Sequence, residues 1–135
     1  MLTIMRTVFL IISLLLLFSS CSNTTISDKI KDSTEKIYGR NLISENTSDG
    51  YKITLHYKTL DNEKFNGDHL KIKETIDKLT NSLPKTTLDN IANEESFSIS
   101  NFISWETPNY TVLLIKTRQP RDEFPFKIEI ISRDK

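Results

Sequence analysis

The chain has 135 residues with 18 basic and 18 acidic side chains, so its formal net charge at pH 7 is zero. This balance excludes the strongly basic surface that nucleic-acid binding requires. The only cysteine is Cys21, and the three glycines are too few for a phosphate-binding loop. We therefore expect no nucleic-acid partner, no cysteine-based metal site and no cofactor.

The first predicted element is a short apolar segment near the N-terminus. Val8 to Phe18 is a run of 11 residues that is apolar except for Ser13, and Arg6 precedes it. The run is shorter than the roughly 20 residues that a bilayer-spanning helix needs. Its length and its preceding positive charge are typical of a signal peptide. Either Met1 or Met5 is the initiator, and MRTVFL from Met5 is the cleaner signal start.

The residues that follow are Phe18, Ser19, Ser20 and Cys21. This stretch resembles the signal region of bacterial lipoproteins, in which small residues precede an invariant cysteine. The position of Phe18 usually holds Leu in that class. The resemblance covers residues 5–22 and implies that residues 1–20 are a lipoprotein signal peptide. The alternative is an uncleaved membrane anchor that ends in a lone cysteine.

The resemblance also implies how the protein is held and where. In lipoproteins the cysteine is S-diacylated, becomes the N-terminus after cleavage and is usually N-acylated as well. Acyl chains on Cys21 then anchor the protein in the membrane. Ser22 stands where Asp signals retention in the inner membrane of many Gram-negative bacteria. We therefore expect a location in the bacterial cell envelope, at the outer membrane and facing the periplasm.

Cleavage before Cys21 leaves 115 residues, and only Arg6 is lost among the charged ones, which gives 17 basic against 18 acidic residues. That length suits one domain with one core. We predict a flexible tether over residues 21–27 and a single domain over 28–135. The domain is predicted to begin with a helix that is capped by Ser27 and ends at Gly39.

Two strands and a second helix are predicted next. Residues 40–46 suggest a short strand, and residues 51–59 alternate apolar and polar side chains, which predicts a half-buried strand. The second helix is predicted to be capped by Asp68 and to stop before Pro84. Residues 87–92 are predicted to add one more helical turn. The predicted buried face of the helix comprises Ile72, Ile76, Leu79 and Leu83.

Three strands are predicted in the remaining sequence, from Ser96, over residues 110–117 and over residues 124–132. In the first, apolar residues alternate with serines, which predicts that Phe97, Ile99, Ile103 and Trp105 share the buried face. In the second, residues 112–115 are all apolar, which predicts a central strand covered on both sides. The predicted fold is α+β, with an antiparallel sheet of four to five strands, a helix packed on one face and the order α-β-β-α-β-β-β.

No catalytic or metal-binding pattern stands out. His56 and His69 lack the neighbouring ligands of a zinc site, and we expect both to be surface histidines. Residues 61–68 resemble a calcium loop only faintly, because Gly67 falls one place late and no closing Glu follows. We therefore expect a solvated turn there, and a protein that is not an enzyme.

Residue types that are enriched at binding hot spots flank two of the predicted turns. These candidate partner-binding residues are Trp105 and Tyr110 at one turn, and Arg118, Arg121, Asp122, Glu123 and Phe124 at the other. In a meander the two turns lie at opposite ends of the sheet. The alternative is that Trp105 belongs to the core and that the charged turn is merely solvated.

These features together predict a non-catalytic, membrane-tethered periplasmic lipoprotein that binds another protein. Within this class we favour an immunity or inhibitor protein against an envelope-acting toxin. One alternative is a structural component of an envelope assembly or secretion complex. Another is a small periplasmic hydrolase that depends on His56 or Asp61.

Overall fold

A computed structural model describes residues 23–58 and 61–135. The predicted signal peptide and the lipidation site at Cys21 lie outside these residues. No helix in the described part of the chain combines the length and apolar character that a bilayer-spanning helix needs. The elements are α1 (Ile26–Tyr38), a 3-10 turn (Gly39–Asn41), β1 (Leu42–Asn46), β2 (Gly50–Tyr57), α2 (Asn62–Thr80), β3 (Thr86–Asn93), β4 (Ser98–Glu106), β5 (Tyr110–Arg118) and β6 (Phe126–Asp134).

The strands form one antiparallel sheet in the order β1-β2-β6-β5-β4-β3. The last four strands are a meander of successive hairpins, and β2 of the first hairpin pairs with β6. The predicted α+β class and antiparallel sheet are confirmed. The described residues contain six strands rather than the predicted four to five, and both helices pack on the sheet.

The additional strand is β3, where we predicted one more helical turn over residues 87–92. Leu88 and Ile91 are three residues apart, which fits a helix and does not fit the alternation of a regular strand. A β-bulge between them, with Asn90 at φ 55°, supplies one extra residue. Leu88 and Ile91 therefore pair with Phe102 and Ser100 and lie on the same face of the sheet.

Helix α1 begins two residues earlier than predicted, at Ile26 rather than residue 28. The Thr25 side chain accepts a hydrogen bond from the backbone N–H of Asp28, and the Asp28 carboxylate accepts one from the backbone N–H of Thr25. This reciprocal capping box replaces the predicted cap at Ser27. Ser27 is fully buried inside the helix, so residues 26 and 27 do not belong to a flexible tether.

Helix α2 starts and ends earlier than the sequence pattern indicates. Its cap is Asp61 rather than Asp68, and Asn81 in the left-handed conformation ends it at Thr80, before Pro84. Ile72 and Ile76 are buried as predicted, but Leu83 is 83% exposed and lies outside the helix. The prediction of a solvated turn over residues 61–68 is therefore wrong, because Asp61 caps the helix and the residues after it are helical.

The core lies between the two helices and one face of the sheet, which we call the core face. Ile30 of α1 and Ile72 and Ile76 of α2 belong to the same buried cluster as the alternating apolar side chains of β2, β4, β5 and β6. On the opposite face, which we call the open face, no apolar side chain of the described strands is fully buried. The half-buried apolar residues there are Phe102, Leu113, Ile115 and Ile131. Strand β5 is central as predicted, but helices cover only one of its two faces.

Candidate functional site at the far end of the sheet

The two predicted binding turns lie at opposite ends of the sheet, as expected. Tyr110 pairs with Asp134 at one end, and Arg118 pairs with Phe126 at the other. Helix α1 begins beside the first of these ends, where the backbone N–H of Ser27 donates to the Asp134 carboxylate at 3.5 Å. We call this the entry end, and we call the end with Arg118 and Phe126 the far end.

The candidate residues at the entry end are structural. Trp105 is fully buried on the core face, and its indole Nε1–H donates to Asp77 Oδ1 of α2 at 2.9 Å. Tyr110 is half-buried against the core, and its hydroxyl donates to the Thr80 carbonyl oxygen at 3.5 Å. The prediction that Trp105 contacts a partner is therefore wrong, since Trp105 belongs to the core.

The candidate residues at the far end divide into supporting and exposed ones. Asp122 accepts a hydrogen bond from Lys127 Nζ at 2.6 Å, and this contact lowers the pKa of the Asp122 carboxyl. The Phe124 ring packs edge-to-face on His56, with 4.6 Å between the ring centroids. Both interactions hold the loop between β5 and β6 in place. The exposed candidates at this end are Arg118, Arg121 and Glu123.

An aromatic side chain that we had assigned to the buried face completes this surface. Phe97 lies just before β4, outside the regular alternation, and is 55% exposed. Its backbone has φ 52°, which turns the chain away from the strand direction. The Arg121 guanidinium lies over the Phe97 ring, 3.7 Å from its centroid. This cation–π pair is the exposed aromatic contact at the far end of the sheet.

A polar pocket of about 380 Å³ opens beside the far end, between the start of α2 and the end of β2. In it, Asp68 accepts hydrogen bonds from the Tyr57 hydroxyl at 2.7 Å and the Tyr38 hydroxyl at 3.4 Å. Burial is the main reason why the pKa of Tyr38 is raised to about 12, and the pKa of Tyr57 is raised more strongly. The Asp68 carboxylate is the second cause in both cases. Both phenols are therefore protonated donors at neutral pH and cannot serve as general bases.

His56 and Asp61, the residues of the hydrolase alternative, line this same pocket. The His56 Nδ1 is buried and has no hydrogen-bond partner among the described residues. The other histidine, His69, is largely buried rather than on the surface as predicted. Its pKa is lowered to about 4, mainly by burial and secondly by the positive charge of Lys116, so the imidazole is neutral at pH 7. Residues 23–58 and 61–135 contain no group of His, Cys, Asp and Glu suited to a metal ion.

A second concavity, of about 220 Å³, lies on the core-face side of the far end. Its floor is apolar and includes Phe65, Ile99 and Phe126. We call it the asparagine groove, and its polar residues are Asn62, Asn66, Asn90, Asn101, Lys116 and Arg118. Sequence reasoning identified only Arg118, because the six polar residues come from four different elements and share no sequence motif.

No protein-family model matches this sequence, and no curated protein or solved structure is detectably similar to it. We therefore infer function from the side chains of the far end and from their position relative to the entry end.

Proposed function

We propose that the protein is a non-catalytic lipoprotein of the bacterial envelope that binds another protein through the far end of its sheet. Acyl chains on Cys21 anchor it, with the domain facing the periplasm from the outer membrane. The observation that carries the proposal is the exposed Arg121–Phe97 stack, at the end of the sheet opposite to the start of α1. Arginine and aromatic residues, Phe included, are enriched in the cores of protein–protein interfaces.

The position of α1 supports the proposed orientation. Cys21 is four residues before Thr25, the residue that caps α1. Four residues of extended chain span at most about 14 Å. An anchor at Cys21 therefore keeps the entry end close to the bilayer. The nine residues of β5 separate the two ends by roughly 25–30 Å, so the far end faces away from the membrane.

Within this class we favour an immunity or inhibitor protein against an envelope-acting toxin. Such a protein needs a folded domain, a location where the toxin acts and a surface that blocks the toxin. The domain is small, near-neutral in charge and tethered by a short segment. A membrane-distal recognition surface allows it to meet a toxin that reaches the envelope.

Site-specific crosslinking of the full chain in membranes tests this proposal. A photoreactive residue at Glu123, at the far end, is expected to capture one protein partner in a 1:1 adduct. The same residue at exposed Asn109, at the entry end, is the matched control and is expected to capture none. Arg121→Ala and Phe97→Ala should each abolish capture at Glu123. Capture that persists in both variants contradicts the proposed surface.

The structural-component alternative predicts a different result from the same experiment. A component of an envelope assembly or secretion complex crosslinks to a neighbour that co-purifies with further subunits in fixed proportions. Capture of a single soluble toxin excludes that alternative. Capture of a multi-subunit assembly favours it over the immunity proposal.

The hydrolase alternative is supported by one structural observation, which is that His56 and Asp61 line the same 380 Å³ pocket. This alternative predicts turnover of ester or amide substrates by the purified protein. Turnover must then disappear in both His56→Ala and Asp61→Ala, while Arg121→Ala leaves it unchanged.

A further inference from the structure

We propose that the asparagine groove binds the carboxylate of an acidic side chain presented by the protein partner. This inference rests on the proposed function, since it states which chemical group of the partner the far end recognises. It depends on the arrangement of two cations and four amides that no sequence motif connects.

Strand β5 supplies the two cations. Lys116 and Arg118 are two residues apart, so they point to the same face of the sheet with a spacing of roughly 6.6 Å along the strand. Lys116 and Arg118 continue the row of core-face side chains that includes Val112 and Leu114 in β5, and they stand at the far end of the sheet. On the neighbouring strand β4, Asn101 pairs with Lys116, and Ile99 pairs with Arg118.

Helix α2 and the bulge in β3 supply the two walls. Asn62 and Asn66 are one helical turn apart, so they share the face of α2 that borders the groove. Asn90 lies at the β-bulge, where its positive φ brings the residue beside Asn101. The backbone N–H of Asn90 donates to Asn101 Oδ1 at 3.4 Å.

The internal hydrogen bonds leave donors available to a ligand. Lys116 Nζ donates to Asn66 Oδ1 at 3.0 Å, which occupies one of the two lone pairs of that oxygen. The oxygen of Asn101 is used in the same way by Asn90. The NH₂ groups of Asn66 and Asn101 and two N–H donors of the Lys116 ammonium have no hydrogen-bond acceptor among the described residues. A group that only accepts hydrogen bonds, such as a carboxylate, matches this set.

The charges of the groove lead to the same conclusion. Its lining includes two cations and no carboxylate. Neither Lys116 nor Arg118 forms an ion pair with a carboxylate of the described residues. Two other lysines of the sheet and its loops, Lys85 and Lys127, are paired with Glu106 and Asp122. The groove is thus a positive site that an anion from outside the described chain complements.

Size and position favour an acidic side chain over a free small molecule. At about 220 Å³ the groove is smaller than the roughly 300–1,000 Å³ of typical small-molecule pockets. Its apolar floor, which includes the 45% exposed Ile99, suits the methylene groups of a glutamate. Ile99 is two residues from Phe97, so the groove adjoins the proposed recognition surface.

Nuclear magnetic resonance of the ¹⁵N-labelled full chain in neutral detergent micelles tests the inference. The protein is titrated with acetyl-Gly-Glu-Gly-amide and, separately, with acetyl-Gly-Gln-Gly-amide. We expect the glutamate peptide to shift the side-chain NH₂ signals of Asn66 and Asn101 in a saturable manner. The glutamine peptide should leave them unchanged.

Matched charge variants locate the site. The double variant Lys116→Gln/Arg118→Gln should weaken binding of the glutamate peptide by about tenfold or more, since each tenfold loss corresponds to only about 1.4 kcal/mol. Lys29→Gln/Arg133→Gln removes the same charge from exposed residues near the entry end and should leave the affinity unchanged. Equal effects of both double variants, or no saturable shift at all, overturn the inference.

Inorganic phosphate provides the third arm of the titration. If phosphate shifts the same signals at lower concentration than the glutamate peptide, the groove is a site for a free anion, and the inference is overturned. The outcome is independent of the crosslinking experiment. Capture of a partner without binding of the glutamate peptide contradicts only the inference about the groove. Binding of the peptide without capture of a partner contradicts only the proposed function.

Discussion

The two ends of the sheet contain similar residue types, but these residues have different surroundings. At the entry end, Trp105 and Tyr110 are held by α2, and their polar atoms donate to Asp77 and to the backbone of Thr80. At the far end, Arg121 stacks on an exposed Phe97. Whether an aromatic residue near a turn stays exposed therefore depends on whether a helix packs over it.

The largest expected effect is the loss of stability in Trp105→Ala. Removal of a fully buried indole typically costs about 3–5 kcal/mol of unfolding free energy. The exposed counterpart at the far end, Phe97→Ala, should cost less than about 1 kcal/mol, as surface substitutions usually do. Denaturant unfolding followed by far-ultraviolet circular dichroism measures both. Equal losses in the two variants contradict the distinction between the ends.

The second prediction concerns the tyrosines that donate to Asp68. The pKa of Tyr38 is about 12 in the folded protein, against about 10 in an unfolded chain. The folded state thus retains a proton that the unfolded state releases. This contribution to stability is complete below pH 10 and is lost as the pH rises through 12.

Tyr38→Phe should therefore make the free energy of unfolding depend less steeply on pH between about 10 and 12. Equilibrium unfolding at a series of alkaline pH values compares the variant with the unmodified protein. Identical slopes contradict a raised pKa of Tyr38 in the folded protein, whose main cause is burial beside Asp68.

A smaller effect on stability is expected for Arg121→Ala. The side chain is exposed and makes a cation–π contact, which contributes about 0.5–1 kcal/mol at exposed sites. Its removal should therefore leave the fold intact while it abolishes crosslinking from Glu123. A variant that loses capture because it unfolds argues for a structural role, which circular dichroism detects.

The smallest expected effect on the domain is that of Cys21→Ala. If acyl chains on Cys21 provide the anchor, the variant is released from membranes while the domain keeps its unfolding midpoint. Membrane fractionation and circular dichroism measure the two quantities. A variant that remains an integral membrane protein points to the alternative of an uncleaved anchor.

Local sequence patterns predicted much of the fold. The alternation in β2 and the helical spacing of Ile72 and Ile76 correctly identified one strand and one helix, because a single buried face imposes its own period. The same method failed at β3, where the bulge at Asn90 changes the period. It also failed for Phe97, because β4 begins only at Ser98, after the alternating pattern has started.

The candidate site was predicted only in part. Arg118, Arg121 and Glu123 are exposed at one end of the sheet, as expected from the charged turn. Their neighbours could not be found from the sequence. Phe97 precedes Arg121 by more than twenty residues, and the asparagine groove combines α2, β3, β4 and β5. Strand pairing brings these residues together, and no local pattern encodes that pairing.

By itself the sequence determined the α+β class and the antiparallel meander, because these follow from local periodicity and short connections. Only the tertiary structure decided which apolar residues became core and which remained exposed. Trp105 and Phe97 occupy similar positions in an alternating pattern, yet α2 covers one and not the other. Burial depends on where distant elements pack, and that packing is a property of the whole chain.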